Sequence, residues 1–207
     1  MRRNWPELKL PGHLCNVYTA KGTTLVPLTQ GNFMTTLLVT TGPESSGKTT
    51  LATQLAGALD APLVPEIART YLNEKRRDNP SFEYQQHDLL EIAKQQLAAE
   101  KKALRKAGEW LVCDTDLLVL MIWSDVKYGK CEPALQALFE QSLESDRRYL
   151  LCTPDMPWEP DPLRENPGDR ELLFDRYLTV LEFLPVKFLT LSGSAERRFG
   201  QVLAHEY

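Results

Sequence analysis

The chain's 207 residues, 43% of them apolar, suffice for one substantial buried core and fall short of several. A formal charge of -4 and an isoelectric point near 5.5 exclude a general electrostatic pull toward nucleic acid or an anionic membrane, so small ligands are the expected partners. No apolar run reaches the length of a membrane span, and the opening MRRNWPELKLPG breaks at Pro6, Glu7 and Pro11 before a signal-peptide core develops, which points to a soluble, cytoplasmic protein.

Cys15, Cys113, Cys131 and Cys152 are scattered, two of them inside apolar runs, as in a protein of a reducing compartment without a zinc site. Residues 1–33 are interrupted by Pro6, Pro11, Gly12, Gly22, Pro27 and Gly31 and carry no helical periodicity, so they read as an appendage. Met34 stands immediately before the first strand. This suggests the hypothesis that the native product begins there, with residues 34–207 as the catalytic domain; a mass spectrum of the natively expressed protein with residues 1–33 intact would refute it.

From Thr35 onward, short β-branched runs alternate with amphipathic helical stretches, the rhythm of parallel βαβ units. Strands are predicted over Leu37–Thr41, Leu63–Pro65, Trp110–Asp114, Tyr149–Cys152 and Val186–Leu191. Helices are predicted over Lys48–Leu59, within Glu83–Lys106, and over about Asp169–Leu184. In the second, Leu89, Ile92, Ala93, Leu97 and Leu104 share one face. Five prolines between Thr153 and Gly168 predict a long mobile loop. The expected fold is α/β of the P-loop NTPase type: a five-stranded parallel sheet, helices on both faces, and a lid loop.

The most specific signal lies at the first strand's end, where Gly42, Pro43, Glu44, Ser45, Ser46, Gly47, Lys48 and Thr49 complete the P-loop pattern, followed by Thr50. An apolar strand precedes it and a helix bearing Leu51, Leu55 and Leu59 follows. Glycines at both ends let successive N–H groups turn inward around a phosphate at a helix N-terminus. Lys48 is placed to reach the β- and γ-phosphates of ATP, and the Thr49 hydroxyl to ligate Mg²⁺.

Two more strand ends carry acids. In WLVCDTD, buried-type residues lead into Asp114, in the position of a Walker B acid that holds Mg²⁺ through its water shell. Asp116 either faces the substrate, accepting a hydroxyl proton or binding ribose, or caps the helix starting at Leu117. In LVPEIARTYL, Glu66 follows a short strand, with Arg69 and Tyr71 close behind. Phosphoryl transfer depends mainly on positioning and charge stabilisation, so Glu66 suits orienting or deprotonating an acceptor hydroxyl. Its alternative role is to stabilise a helix N-terminus.

Taken together, GPESSGKTTLA, EIARTYL, IAKQQL, VCDTD and TPDMPWEPDPLRENPGDR resemble the ribosylnicotinamide kinase domain of NadR-type proteins, P-loop kinases of NAD salvage with an AAA-type ATPase core. The resemblance runs from about Thr35 to the C-terminus. It implies a kinase that phosphorylates the 5′-hydroxyl of nicotinamide riboside, with ATP and Mg²⁺ served by Lys48, Thr49 and Asp114. Glu66, Arg69, Tyr71, Gln96, Asp116 and Trp158 would serve the acceptor, and Arg164, with Arg170 as a second candidate, would neutralise the transferring phosphate from a lid. Backbone near Gly193, after the last strand, would approach adenine.

The sequence departs from the family in two respects. The only early histidine, His13, does not form the His-x-Gly-His motif of the second, nucleotidyltransferase activity, and residues 1–33 do not accommodate a helix-turn-helix regulator. A guanine-reading Asn/Thr-Lys-x-Asp motif is also missing where CTPDMPW stands. Residue chemistry alone leaves open a kinase for another nucleoside or nucleotide, and a nucleotide-binding module without turnover. It assigns no oligomeric state.

Overall fold

Five strands run parallel in one sheet: β1 (Thr36–Thr41), β2 (Leu63–Val64), β3 (Trp110–Asp114), β4 (Arg147–Cys152) and β5 (Lys187–Leu191), in the order β2-β3-β1-β4-β5. The computed structural model describes residues 35–161 and 168–205, which belong to one compact unit, Met34–Tyr207. The central strand β1 pairs with β3 through Val39 and Cys113 and with β4 through Val39 and Tyr149. Both of its edges are therefore satisfied, and all six of its residues are buried. The reading of an α/β, five-stranded parallel sheet thus describes the architecture, while the appendage 1–33 and the proposed start at Met34 lie outside the described residues.

Seven helices occur among the described residues: α1 (Lys48–Ala58), α2 (Ile67–Asp78), α3 (Gln86–Leu104), α4 (Leu117–Tyr128), α5 (Pro133–Ser142), α6 (Arg170–Phe183) and α7 (Ala195–Leu203). One face of the sheet contributes Leu38, Val112, Leu150 and Leu191 to a cluster with Leu51, Ala52 and Leu55 of α1 and Val202 of α7. Successive strand side chains alternate in direction, so Leu37, Val39, Leu111, Cys113 and Tyr149 serve the opposite face. There α3 contacts α2, α4 and α5. At about 25 cal/mol per Å² of apolar surface removed from water, this two-sided burial drives folding, and the sheet ends are left to carry chemistry.

Helix starts follow recognisable local chemistry. A capping box opens α3: the Gln85 N–H donates to Asp88 at 2.8 Å, while the Gln85 side chain satisfies the reciprocal backbone group. Pro133 begins α5 at a position where its missing N–H costs nothing. The prediction was silent on α5, and placed the start of β4 at Tyr149 whereas the strand already includes Arg147 and Arg148.

Candidate active site

The loop between β1 and α1 is shaped by close approach. Gly42 has φ +128°, and a Cβ there would lie 2.6 Å from the Cys152 carbonyl oxygen of the neighbouring strand. Gly47, at φ +76°, caps α1 with left-handed geometry, and a Cβ would come 2.8 Å from Met156 Sδ. A side chain at Gly42 would meet backbone, and one at Gly47 would displace Met156 and hold a strained left-handed φ. Arg198 braces the loop from behind: fully buried, it donates to the Ser46 carbonyl, to Gly193 O at 2.9 Å and to Thr153 O at 3.0 Å, and pairs with Asp155. Sequence reading misses this residue, because a basic side chain on the last helix resembles a solvated one until Asp155, Thr153 and Ser46, 43 to 152 residues away, are in place.

The loop forms one wall of a cavity lined by residues 42–50 and by Glu66, Arg69, Thr115, Val119, Trp123, Met156, Pro157, Glu159, Leu173 and Tyr177. Lys48 donates to the Pro43 carbonyl. Its burial lowers the ammonium pKa, opposed by the negative charges of Glu66, Asp114 and Glu44. The Thr49 and Thr40 hydroxyls hydrogen-bond Asp114, whose carboxyl is nonetheless raised by burial and by the nearby Glu66 charge. A hydroxyl beside a buried carboxylate suits a hard divalent cation carried in with phosphate oxygens. Among the described residues no cluster of three or more His, Cys, Asp or Glu forms a ready metal cage. A metal there would rely on Thr49, Asp114 and the nucleotide.

Glu66, also part of the lining, sits at the N-terminus of α2. Arg69, one turn on, reaches back to Glu66 at 2.9 Å and out to Asp161 at 2.8 Å. The far wall is aromatic and apolar, built by Val119 and Trp123 of α4 and Leu173 and Tyr177 of α6. Tyr84 holds Trp123, the ring centroids being 6.2 Å apart, and Lys127 lies 3.5 Å above the Tyr84 ring. Trp123 and Tyr177 escaped the sequence reading. At helical spacing an aromatic residue reads as core, and only the meeting of α4 and α6 turns these two toward one space.

Several expected site residues are placed elsewhere. Asp116 does not face the cavity: its Oδ1 accepts from Leu118 N–H at 3.0 Å, and its Oδ2 from Tyr149 at 2.8 Å and Arg147 at 3.1 Å. Asp116 is thus placed as the cap of α4 and as a partner of Tyr149 and Arg147. Gln96 donates to Glu100 at 2.9 Å and to the Thr115 carbonyl at 3.3 Å, behind the cavity wall. It steadies Thr115, whose φ is +70°, and makes no part of the lining. Tyr71 donates to Asp88 at 2.7 Å and ties α2 to α3. Gly193 offers its N–H to Asp155 at 2.6 Å, which leaves that donor engaged within the protein. Trp158 stands outside the lining, with its indole nitrogen buried.

Arg170, the second arginine candidate, donates to the carbonyls of Ser45 at 3.2 Å and Met156 at 2.9 Å, fastening the phosphate loop to the segment after β4. The Glu159 N–H adds a bond to Ser45 Oγ at 3.1 Å. Arg164 lies outside the described residues.

A family model described as an AAA domain matches residues 37–198. The chain belongs to this AAA domain family. The match runs from β1 to Arg198 and so includes the phosphate loop, the three acids and the bracing arginine. No curated protein matches the chain in sequence. Among solved structures it is similar to a NadR protein in complex with NR, at 19% identity and TM-score 0.65, covering 82% of this chain and 50% of the other. It is also similar to a NadR protein in complex with NAD and AMP-PNP, at 19% identity and TM-score 0.57, covering 82% and 48%. A third is the deoxyadenosine kinase from M. mycoides with products dCMP and dCDP, at 12% identity and TM-score 0.53, covering 81% and 96%. The chain thus spans about half the length of the NadR chains it matches. At these identities the likeness establishes the shared fold.

Proposed function

We propose that the chain is an ATP-dependent kinase that phosphorylates the 5′-hydroxyl of nicotinamide riboside to give the mononucleotide, in NAD salvage. The observation that carries this reading is the continuity of one cavity from a complete phosphate loop, past a strand-end acid, to an aromatic wall. A nucleotide-binding module without turnover needs the loop alone. NadR proteins with NR or with NAD and AMP-PNP share the fold, and Glu66 and Arg69 of EIARTYL and Thr115 of VCDTD line the cavity.

The chain's own residues divide the work. N–H groups of residues 42–49 cradle the phosphates of ATP, and Lys48 leaves the Pro43 carbonyl to meet them. Mg²⁺, held by Thr49 and Asp114, offsets phosphate charge when bound. Glu66 orients the acceptor hydroxyl and takes its proton as the phosphorus–oxygen bond forms, while Arg69 fixes the carboxylate's direction through its 2.9 Å contact. Trp123 and Tyr177 hold the flat base, and a tryptophan face suits a pyridinium cation. Arg164 serves as a further charge-neutralising group. The deoxyadenosine kinase likeness keeps a second reading in view, a kinase for another nucleoside, which shares every step except base recognition.

The test is product identity. Incubation with ATP, Mg²⁺ and nicotinamide riboside, followed by phosphorus NMR, should yield a 5′-phosphomonoester and ADP in equal amounts. ADP with free phosphate and no ester would reject the proposal.

A further inference from the structure

The cavity poses an electrostatic problem. Among the described residues, its charged lining consists of three acids, Glu44, Glu66 and Glu159, against two bases, Lys48 and Arg69. Arg69 is already bound to Glu66 and Asp161. A site meant for a polyphosphate is thus lined with an excess of negative charge, and one of those acids, Glu44, belongs to the phosphate loop itself. A carboxylate inside an anion-binding loop weakens phosphate binding unless its charge serves another group.

Glu44 lines the space that the aromatic wall also lines. It is half-buried and lines the cavity. It shares that cavity with Tyr177 of α6, and its negative charge acts on Lys48 and, together with those of Asp116 and Glu66, on the buried Tyr177 phenol. Tyr177 belongs to the aromatic wall, with Trp123 and Leu173. A carboxylate beside aromatic and apolar surface offers a flat cation two favourable contacts, Coulombic attraction and a ring face, whereas a neutral base gains only the ring.

We infer that Glu44 is a specificity-determining residue, whose carboxylate favours acceptors carrying a cationic heteroaromatic base over neutral ones of the same shape. This rests on the kinase reading above and adds a role for the loop's side chain distinct from its backbone's role toward ATP. The acid lets one loop serve two ligands of opposite charge. A neutral nucleoside would enter the same cavity without that contact.

The experiment compares nicotinamide riboside with its neutral C-glycosidic isostere, benzamide riboside, on the wild-type chain, Glu44→Gln and Glu44→Asp. The expected result is a wild-type preference in kcat/KM for the cationic riboside that drops about tenfold in Glu44→Gln and is largely kept in Glu44→Asp. Calorimetric binding of both ribosides without ATP should show the same loss of discrimination, and this reading survives if the variant transfers phosphate poorly. Equal discrimination by wild type and Glu44→Gln in both measurements overturns the inference while leaving the kinase reading intact. If the wild-type chain phosphorylates neither riboside, the kinase reading fails and the inference falls with it.

Discussion

The Arg147 guanidinium lies 3.1 Å from the Asp116 carboxylate, and both side chains are withdrawn from solvent, at 1% and 0% exposure. Arg147 also holds Glu100 at 2.6 Å and the Ser142 carbonyl at 2.8 Å. This network anchors α3, the start of α4 and β4 to one another beneath the acidic strand end. Removing one partner leaves a buried charge without compensation, so Arg147→Ala should cost about 3–5 kcal/mol in urea unfolding. Asp116→Asn should lower stability and total activity together without a selective rise in the acceptor KM. A selective acceptor defect with normal stability would return Asp116 to the substrate.

Asp155 has a pH signature of its own. Burial would raise its carboxyl, but the Gly193 N–H, the Thr153 hydroxyl and the Arg198 charge together hold it below the usual carboxylate range. A depressed folded pKa gives stability that is present above the unfolded value near ~3.9 and lost as pH falls through the folded one. Asp155→Asn should therefore lower Tm at neutral pH, and the gap to wild type should close on acidification below about pH 4. A gap that stays constant across that range would remove the ionic contribution.

Among the described residues Glu66 is the acid after a strand that lines the cavity, whereas Asp116 is held by Arg147 and Asp114 bonds to Thr49. Glu66→Gln should reduce kcat by about 10²–10⁴ while ATP binding changes little. Parallel titrations with a fluorescent ATP analogue would separate the two effects, and an unchanged kcat would reduce Glu66 to its place at the head of α2.

Trp123 lines the cavity, with the Tyr84 ring 6.2 Å from its own and Lys127 over Tyr84 in turn. Trp123→Leu keeps an apolar side chain and removes the π face. The riboside should bind more weakly by about 1–2 kcal/mol, as measured by calorimetry, with ATP affinity preserved. Equal loss for both ligands would indicate a general collapse of the wall.

Sequence reading succeeded where the information is local. The phosphate loop needs glycines at two fixed places, and the strand before it and the helix after it are continuous with it in the chain, so Gly42, Gly47, Lys48 and Thr49 were legible at once. The strands were legible as short apolar runs. Asp116 is ambiguous because an aspartate ahead of a helix reads equally as cap or ligand, and the partner that holds its other oxygen, Arg147, comes 31 residues later. Arg147 itself was left out of β4 because a charged residue looks like a strand's outer limit until Glu100 and Asp116 arrive to neutralise it. Trp123 and Tyr177 share a wall only through the crossing of α4 and α6, a relationship that no window of sequence contains.

The most direct test is steady-state kcat/KM with ATP and Mg²⁺ across nicotinamide riboside, common nucleosides and nucleoside monophosphates, with Lys48→Ala as the blank. The account predicts a strong preference for nicotinamide riboside that disappears in Lys48→Ala, whose circular dichroism should remain that of the wild type. Preference for another acceptor, or turnover that persists without the Lys48 amine, would contradict it.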